Sequence, residues 1–146
     1  MIRNNISKNI TYSQAIYSGA AIKNKIGNIP SERNLINMEI LAEMVYEPIY
    51  TYFGGSIYIT SFYRSPEVNK KLKGAKNSQH QAINGAALDF VSIDPKISNK
   101  DIFHWIIDNL EFDQLISEYA DAEGNPKWIH VSFNKDKNRN QVIYIS

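Results

Sequence analysis

Apolar residues along the first third of the chain recur at helical spacing. Residues 11–26 place Ala15, Ile16, Ala20 or Ala21, and Ile22 on one face. The run Gly27-Asn28-Ile29-Pro30 ends that predicted helix. Ser31 and Glu32 form a second helix start. Leu35, Met38, Leu41, Val45, Ile49 and Tyr52 then follow at helical spacing across residues 34–53. Pro48 is expected to kink this helix or open a new one, because it has no N–H to donate. Tyr46, Tyr50, Tyr52 and Phe53 form an aromatic stripe that reads as core packing. After Gly54-Gly55 the period changes to two. Residues 56–61 read as a strand with Ile57 and Ile59 on one side and Tyr58 and Thr60 on the other.

Ser65-Pro66-Glu67 marks a short helix with a serine cap and a proline in its first turn. Residues 74–77 read as a loop and residues 87–91 as a buried strand. Ser98 starts a helix that reaches about Asn109, with Ile102, Trp105 or Ile106, and Leu110 facing inward. Residues 112–118, 128–133 and 141–145 read as three further strands. The run Asn134-Lys-Asp-Lys-Asn-Arg139 between the last two reads as a solvated hairpin loop. Helices early and strands late predict an α+β fold, a small mostly antiparallel sheet with helices packed on it. Residues 1–11 are polar and rich in Asn, which predicts a loosely held arm ahead of a single domain, residues 12–146.

Composition narrows the classes. A chain of 146 residues is long enough for one core. Its 43% hydrophobic and 21% charged residues exclude a wholly disordered chain, a collagen-like repeat and a coiled coil. The formal net charge of +1 argues against nucleic-acid or membrane-surface binding driven by bulk charge. No apolar run approaches the roughly 18–20 residues that span a bilayer, so membrane insertion is not expected. Residues 1–10 hold Arg3 and Lys8 but no apolar stretch, which predicts no secretory signal. There is no cysteine. Disulfides and thiol nucleophiles are therefore excluded, and any metal site must use nitrogen and oxygen ligands.

Three histidines are present: His80, His104 and His130. His104 lies inside a predicted helix and reads as structural. His80 opens a segment that runs through the turn signal Asn84-Gly85 to Asp89, so His80 and Asp89 are expected to face each other across a hairpin or sharp loop. His130 shares a strand face with Trp128 and Ser132. Two imidazoles and a carboxylate make a three-ligand set for catalytic zinc, which acidifies water and polarises a carbonyl. The same residue types also make an ordinary hydrogen-bonded His–Asp pair.

A wider pattern surrounds these residues. The strings Ile59-Thr-Ser61-Phe-Tyr-Arg64-Ser65-Pro-Glu-Val-Asn69, Gly74-Ala-Lys-Asn-Ser78-Gln-His80 and Gly85-Ala-Ala87-Leu-Asp89 resemble the zinc D-Ala-D-Ala carboxypeptidase family. The resemblance is to its branch of phage and prophage peptidoglycan peptidases, which shares a fold with the Hedgehog signalling domain. The segments Phe112-Asp-Gln-Leu-Ile116-Ser-Glu118 and Trp128-Ile-His130-Val-Ser132-Phe133 extend it. The resemblance implies that His80, Asp89 and His130 hold Zn2+. It implies that Arg64 binds substrate and supports the negative charge developing on the scissile carbonyl oxygen. Ser61 and Ser78 match small polar substrate-side positions, and Tyr63 and Asn69 hold the loop.

Two departures from the family pattern stand out. His80 and Asp89 are nine positions apart, a two-residue lengthening relative to most members that keeps strand-facing parity, with Ile83 and Asn84 as the added positions. Many relatives place a glutamate three residues before the last histidine, where this chain has Lys127. The branch it resembles implies Glu118 as general base and acid, with Asp121 and Glu123 as alternatives. The expected activity is zinc-dependent hydrolysis of an amide bond in peptidoglycan stem peptides, of endolysin or carboxypeptidase type. The expected partners are the wall peptide and other phage proteins, met after lysis or export or within a virion. The alternative is a non-catalytic phage structural or cell-wall-binding module that keeps the fold.

Overall fold

The computed structural model describes residues 4–146. Strands β1 (Asn5–Ser7) and β2 (Ile10–Thr11) pair antiparallel. They lie in the stretch expected to be a loose arm, whose first three residues fall outside the described ones. Ile6 and Ile10 are buried in the core, and the Glu47 carboxylate accepts hydrogen bonds from the Ser7 hydroxyl at 2.6 Å and the Asn9 N–H at 3.1 Å. Residues 5–11 are therefore held in place, by a partner 40 positions away that no local pattern announces.

Thr11 caps α1 (Tyr12–Ile16) in a reciprocal capping box with Gln14. The single helix expected over residues 11–26 is two. The chain goes extended at Tyr17 and Ser18, and the Ser18 hydroxyl caps α2 (Gly19–Asn24). A serine hydroxyl serves a free N–H at a helix start better than it serves a helix interior. The break also rotates Ile22 outward, where it is exposed.

Ser31 and Asn34 box the start of α3 (Glu32–Leu41). A π-helical turn, Ala42–Tyr46, leads into α4 (Glu47–Tyr52), with Pro48 in the first turn, where its missing N–H is least needed. Leu35, Met38, Leu41, Val45 and Ile49 are buried as their spacing predicts. The aromatic stripe divides. Tyr46 is buried, whereas Tyr52 is exposed and stacks on Trp105 of α6 (Asn99–Asn109), the helix that follows α5 (Pro66–Lys71) in the chain, with centroids 4.7 Å apart.

The sheet contains β3 (Ile57–Ser61), β4 (Ala86–Ser92), β5 (Gln114–Glu118), β6 (Trp128–Phe133) and β7 (Gln141–Ile145), in the order β3-β4-β6-β5-β7. Three pairings are antiparallel and β5–β7 is parallel. Residues 134–140 are thus a crossover past β5, not the expected hairpin loop. The crossover is fastened by Asp113, which accepts the Arg139 Nε–H at 2.7 Å, the Nη2–H at 3.0 Å and the backbone N–H at 3.1 Å. That ion pair outweighs the preference for the shortest return.

Alternation then sorts the sheet into two faces. Leu88, Phe90, Leu115, Ile129 and Val131 point into the core, where α3 and α6 pack on β4 and β6. Asp89, His130, Ile116 and Glu118 occupy the opposite face. The α+β architecture is the one the sequence predicts. No helix among the described residues is long and apolar enough to cross a membrane.

Candidate metal centre

Asp89 and His130 are direct cross-strand partners on β4 and β6, which brings side chains 41 positions apart into hydrogen-bond range. His130 Nδ1 lies 2.9 Å from Asp89 Oδ1. His80 arrives by another route. It sits in a 3-10 turn, Gln79–Gln81, whose start is capped by Ser78, with its Oγ accepting the His80 N–H at 3.3 Å. The facing-parity argument made for a hairpin therefore does not apply to His80, which lies on no strand. Its ring is aimed by the segment that follows β3. The His80 Nδ1–H donates to the Phe62 carbonyl at 2.7 Å, and the Arg64 N–H donates to the His80 carbonyl at 2.9 Å.

A carbonyl oxygen only accepts, so His80 Nδ1 carries a proton, and in the neutral imidazole Nε2 then carries the lone pair. That lone pair faces Asp89 Oδ1, also an acceptor, at 3.2 Å. Two acceptors facing one another in a buried place are satisfied by a cation bound between them. One ligand atom from each of His80, Asp89 and His130 lies within 4.8 Å of the others. Tetrahedral coordination with bonds of about 2.0–2.1 Å spaces its donor atoms about 3.3 Å apart. The 3.2 Å and 2.9 Å separations are close to that spacing. The donor set fits a divalent metal of zinc type.

Protonation states agree with that fit. Burial, the largest influence on His80, pushes its pKa below the ordinary histidine value and favours the neutral, metal-ligating imidazole. Burial alone pushes the Asp89 carboxyl up. The two imidazoles beside it, His80 first, outweigh it and hold the group well below the usual carboxylate range, ionised as a metal ligand must be.

The lengthened connection between His80 and Asp89 is held from outside. Ala82 adopts a left-handed φ of 55°, and its carbonyl accepts from the side-chain amides of Asn34 and Asn37 on α3, each at 3.0 Å. Ile83 and Asn84 are exposed at the rim, where the added residues were expected. Asn34 and Asn37 escaped sequence reasoning. Asn34 closes the capping box of α3, which hides its second bond, and Asn37 has the pattern of an ordinary polar helix position.

The remaining residues implied by the resemblance fall into three groups. Arg64 joins the cluster, its Nη2 3.8 Å from Asp89 Oδ2, while its Nε is buried without a hydrogen-bond partner. Glu118 shares the sheet face of His130, one pairing step along. Burial chiefly, then the Asp89 charge, raises its pKa, and His130 and Arg64 pull it back, so Glu118 lies within the field of the cluster. Ser61 is the cross-strand partner of Asp89, and Ser78 serves as the cap beneath His80.

The others lie elsewhere. Asp121 closes its own turn, with Oδ1 accepting from the Glu123 and Asn125 N–H groups, and Glu123 is exposed. Lys127 is exposed, and its backbone N–H bonds the Glu118 carbonyl at 2.8 Å. His104 is an exposed residue of α6. Asn69 is buried against the loop, its Nδ2 donating to the Ala75 carbonyl, and Tyr63 is buried with its hydroxyl near Asn34.

A cleft of about 520 Å3 opens beside His130, with Ser78, Gln79, Ile116, Lys137 and Arg139 among its lining residues. A largely buried two-histidine, one-aspartate cluster beside a cleft suits a metal-dependent hydrolase. The comparisons agree with that class: a family model described as peptidase M15 matches residues 8–132. The chain belongs to the peptidase M15 family, a family of metallopeptidases. A search of curated proteins finds no match.

Proposed function

We propose that this protein is a zinc-dependent peptidase that hydrolyses an amide bond in the stem peptides of peptidoglycan. The observation that carries the reading is the His80 Nε2 lone pair turned on Asp89 Oδ1 beside His130, in a chain of the peptidase M15 family. His80, Asp89 and His130 hold the metal. Bound there, zinc acidifies water and polarises the scissile carbonyl.

The chain's own groups do the rest. Glu118, half-buried on the same sheet face, takes the proton of the attacking water as the new C–O bond forms. It returns a proton to the amine nitrogen as the C–N bond breaks. Arg64, whose side chain stays partly exposed beside Asp89, supports the carbonyl oxygen that becomes anionic. The cleft beside His130 takes the peptide. Delivery by a phage or prophage, as an endolysin or a virion component, belongs to the same reading and rests on the resemblance of the strings around Arg64, His80 and Asp89.

The test is a digest of purified peptidoglycan by the zinc-loaded protein, with and without chelator, read by mass spectrometry. Chelator-sensitive fragments are expected, and their masses name the bond. An absence of fragments from several wall types, with zinc bound, would overturn the peptidase reading in favour of a non-catalytic wall-binding or virion module.

A further inference from the structure

The basic run 134–139 does not lie free in solvent. As the crossover between β6 and β7 it passes the start of β5 and walls the cleft beside His130. Its side chains divide between two grooves, with Asn134 at the edge of both. Lys137 and Arg139 line the cleft, whereas Lys135 and Asp136 line a separate groove on the α3 side.

The charges in the cleft are unequal in availability. Asp113 is buried and fully engaged by the Arg139 guanidinium, by the Arg139 backbone N–H and by the Gln79 amide at 2.8 Å. Gln79 also donates to the Asn84 carbonyl at 2.9 Å, which ties the turn carrying His80 to the crossover. The Arg139 charge is thus neutralised and its side chain fixed. Lys137 is exposed in the same cleft, and among the described residues no carboxylate pairs with it. The neighbouring wall is neutral and rich in amides, with Asn77, Gln114 and Asn134, and has Ile116 as an apolar contact. Such a wall hydrogen-bonds a peptide backbone, and its free cation selects for an acid.

We propose that the crossover forms the specificity-determining end of the cleft, where Lys137 pairs with a free carboxylate on the bound peptide. This rests on the reading of the cleft as a peptide site, and it adds which peptides are preferred and which residue prefers them.

The experiment is a 15N chemical-shift titration of the zinc-loaded full chain with two stem-peptide analogues, identical except that the free carboxylates of one are amidated. The wild type is expected to bind the acid about fivefold more tightly than the amide, the range of a solvent-exposed ion pair, with shifts at Gln114, Asn134 and Lys137. Added salt should shrink that preference. Lys137→Gln should remove it and Lys137→Glu should invert it, with affinity for the amide unchanged. An acid-to-amide ratio that is the same in wild type and Lys137→Gln overturns the proposal, as does a failure of either peptide to shift the cleft residues. Because binding is read without cleavage, a Lys137-dependent preference without turnover sustains the subsite while sinking the peptidase reading. Turnover indifferent to Lys137 does the reverse.

Discussion

Arg64 stands 3.8 Å from Asp89 between Nη2 and Oδ2, yet its buried Nε has no hydrogen-bond partner. An arginine serving only as a structural ion pair would use its planar fork fully. One edge meets the cluster, Nε is shut away from solvent, and the part of the guanidinium that stays exposed is what an entering substrate meets. Arg64→Gln should therefore lower kcat/KM about 10²- to 10³-fold, the loss seen when one oxyanion donor is removed. Arg64→Lys should not restore it, since an ammonium cannot reproduce the fork. Steady-state kinetics on a stem-peptide substrate, with circular dichroism to check the fold, test both.

Glu118→Gln should lower turnover about 10²- to 10⁴-fold while zinc content by elemental analysis stays unchanged. The sign of its pKa shift adds a second readout. Burial raises the folded value above that of the unfolded chain, so ionised Glu118 costs stability at neutral pH. The metal-free glutamine variant should melt at the same or a higher temperature than wild type at pH 7, and the difference should vanish in acid. A glutamate that merely capped the strand would melt lower on replacement.

Asp89→Asn should weaken metal affinity and activity together, because the carboxylate faces both imidazoles. Chelation of the wild type should lower Tm. The metal contributes about 2.7 kcal/mol at a free concentration one hundred times Kd. Thermal melts with and without chelator should separate widely for the wild type and little for Asp89→Asn.

Gly85 has φ +78°, and a Cβ built on it would run into the Phe133 carbonyl oxygen. Both the left-handed backbone and a close approach of β6 thus require glycine here. Gly85→Ala should cost about 2–4 kcal/mol from combined strain and crowding. It should also weaken metal binding, since it displaces the strand start that sets Asp89 opposite His130. Urea unfolding and a zinc titration measure the two effects.

Asp113→Asn should cost about 2 kcal/mol, the worth of charged hydrogen bonds to a partly exposed arginine. The Arg139 side chain, chiefly, holds the Asp113 pKa below its ordinary value. That stability is present above the unfolded carboxylate pKa of about 4 and is lost as pH falls below it. Urea midpoints of wild type and variant should converge in acid.

Much of the local structure was legible in the chain itself. Ser31, Ser65 and Ser98 cap the helices they were expected to start, and the five stretches read as strands became β3, β4, β5, β6 and β7. These signals act between residues a few positions apart, so a local pattern contains both partners. Where two local signals competed, as at Ser18, the cap prevailed over apolar spacing and one expected helix became two.

The sequence by itself determined which residues could form helices and strands, and which histidines and carboxylate could serve a metal. Only the tertiary structure decided that β7 lies parallel to β5, that Glu47 holds residues 5–11, and that Asp113 fastens the crossover through Arg139. It also decided that His80 reaches Asp89 from a turn aimed by the Phe62 carbonyl and held by Asn34 and Asn37. The physical reason is distance along the chain. Strand order, register and ion-pair partners are selected by the joint burial of one core and the satisfaction of every buried polar group. Those conditions link residues dozens of positions apart and leave no trace in the spacing of near neighbours.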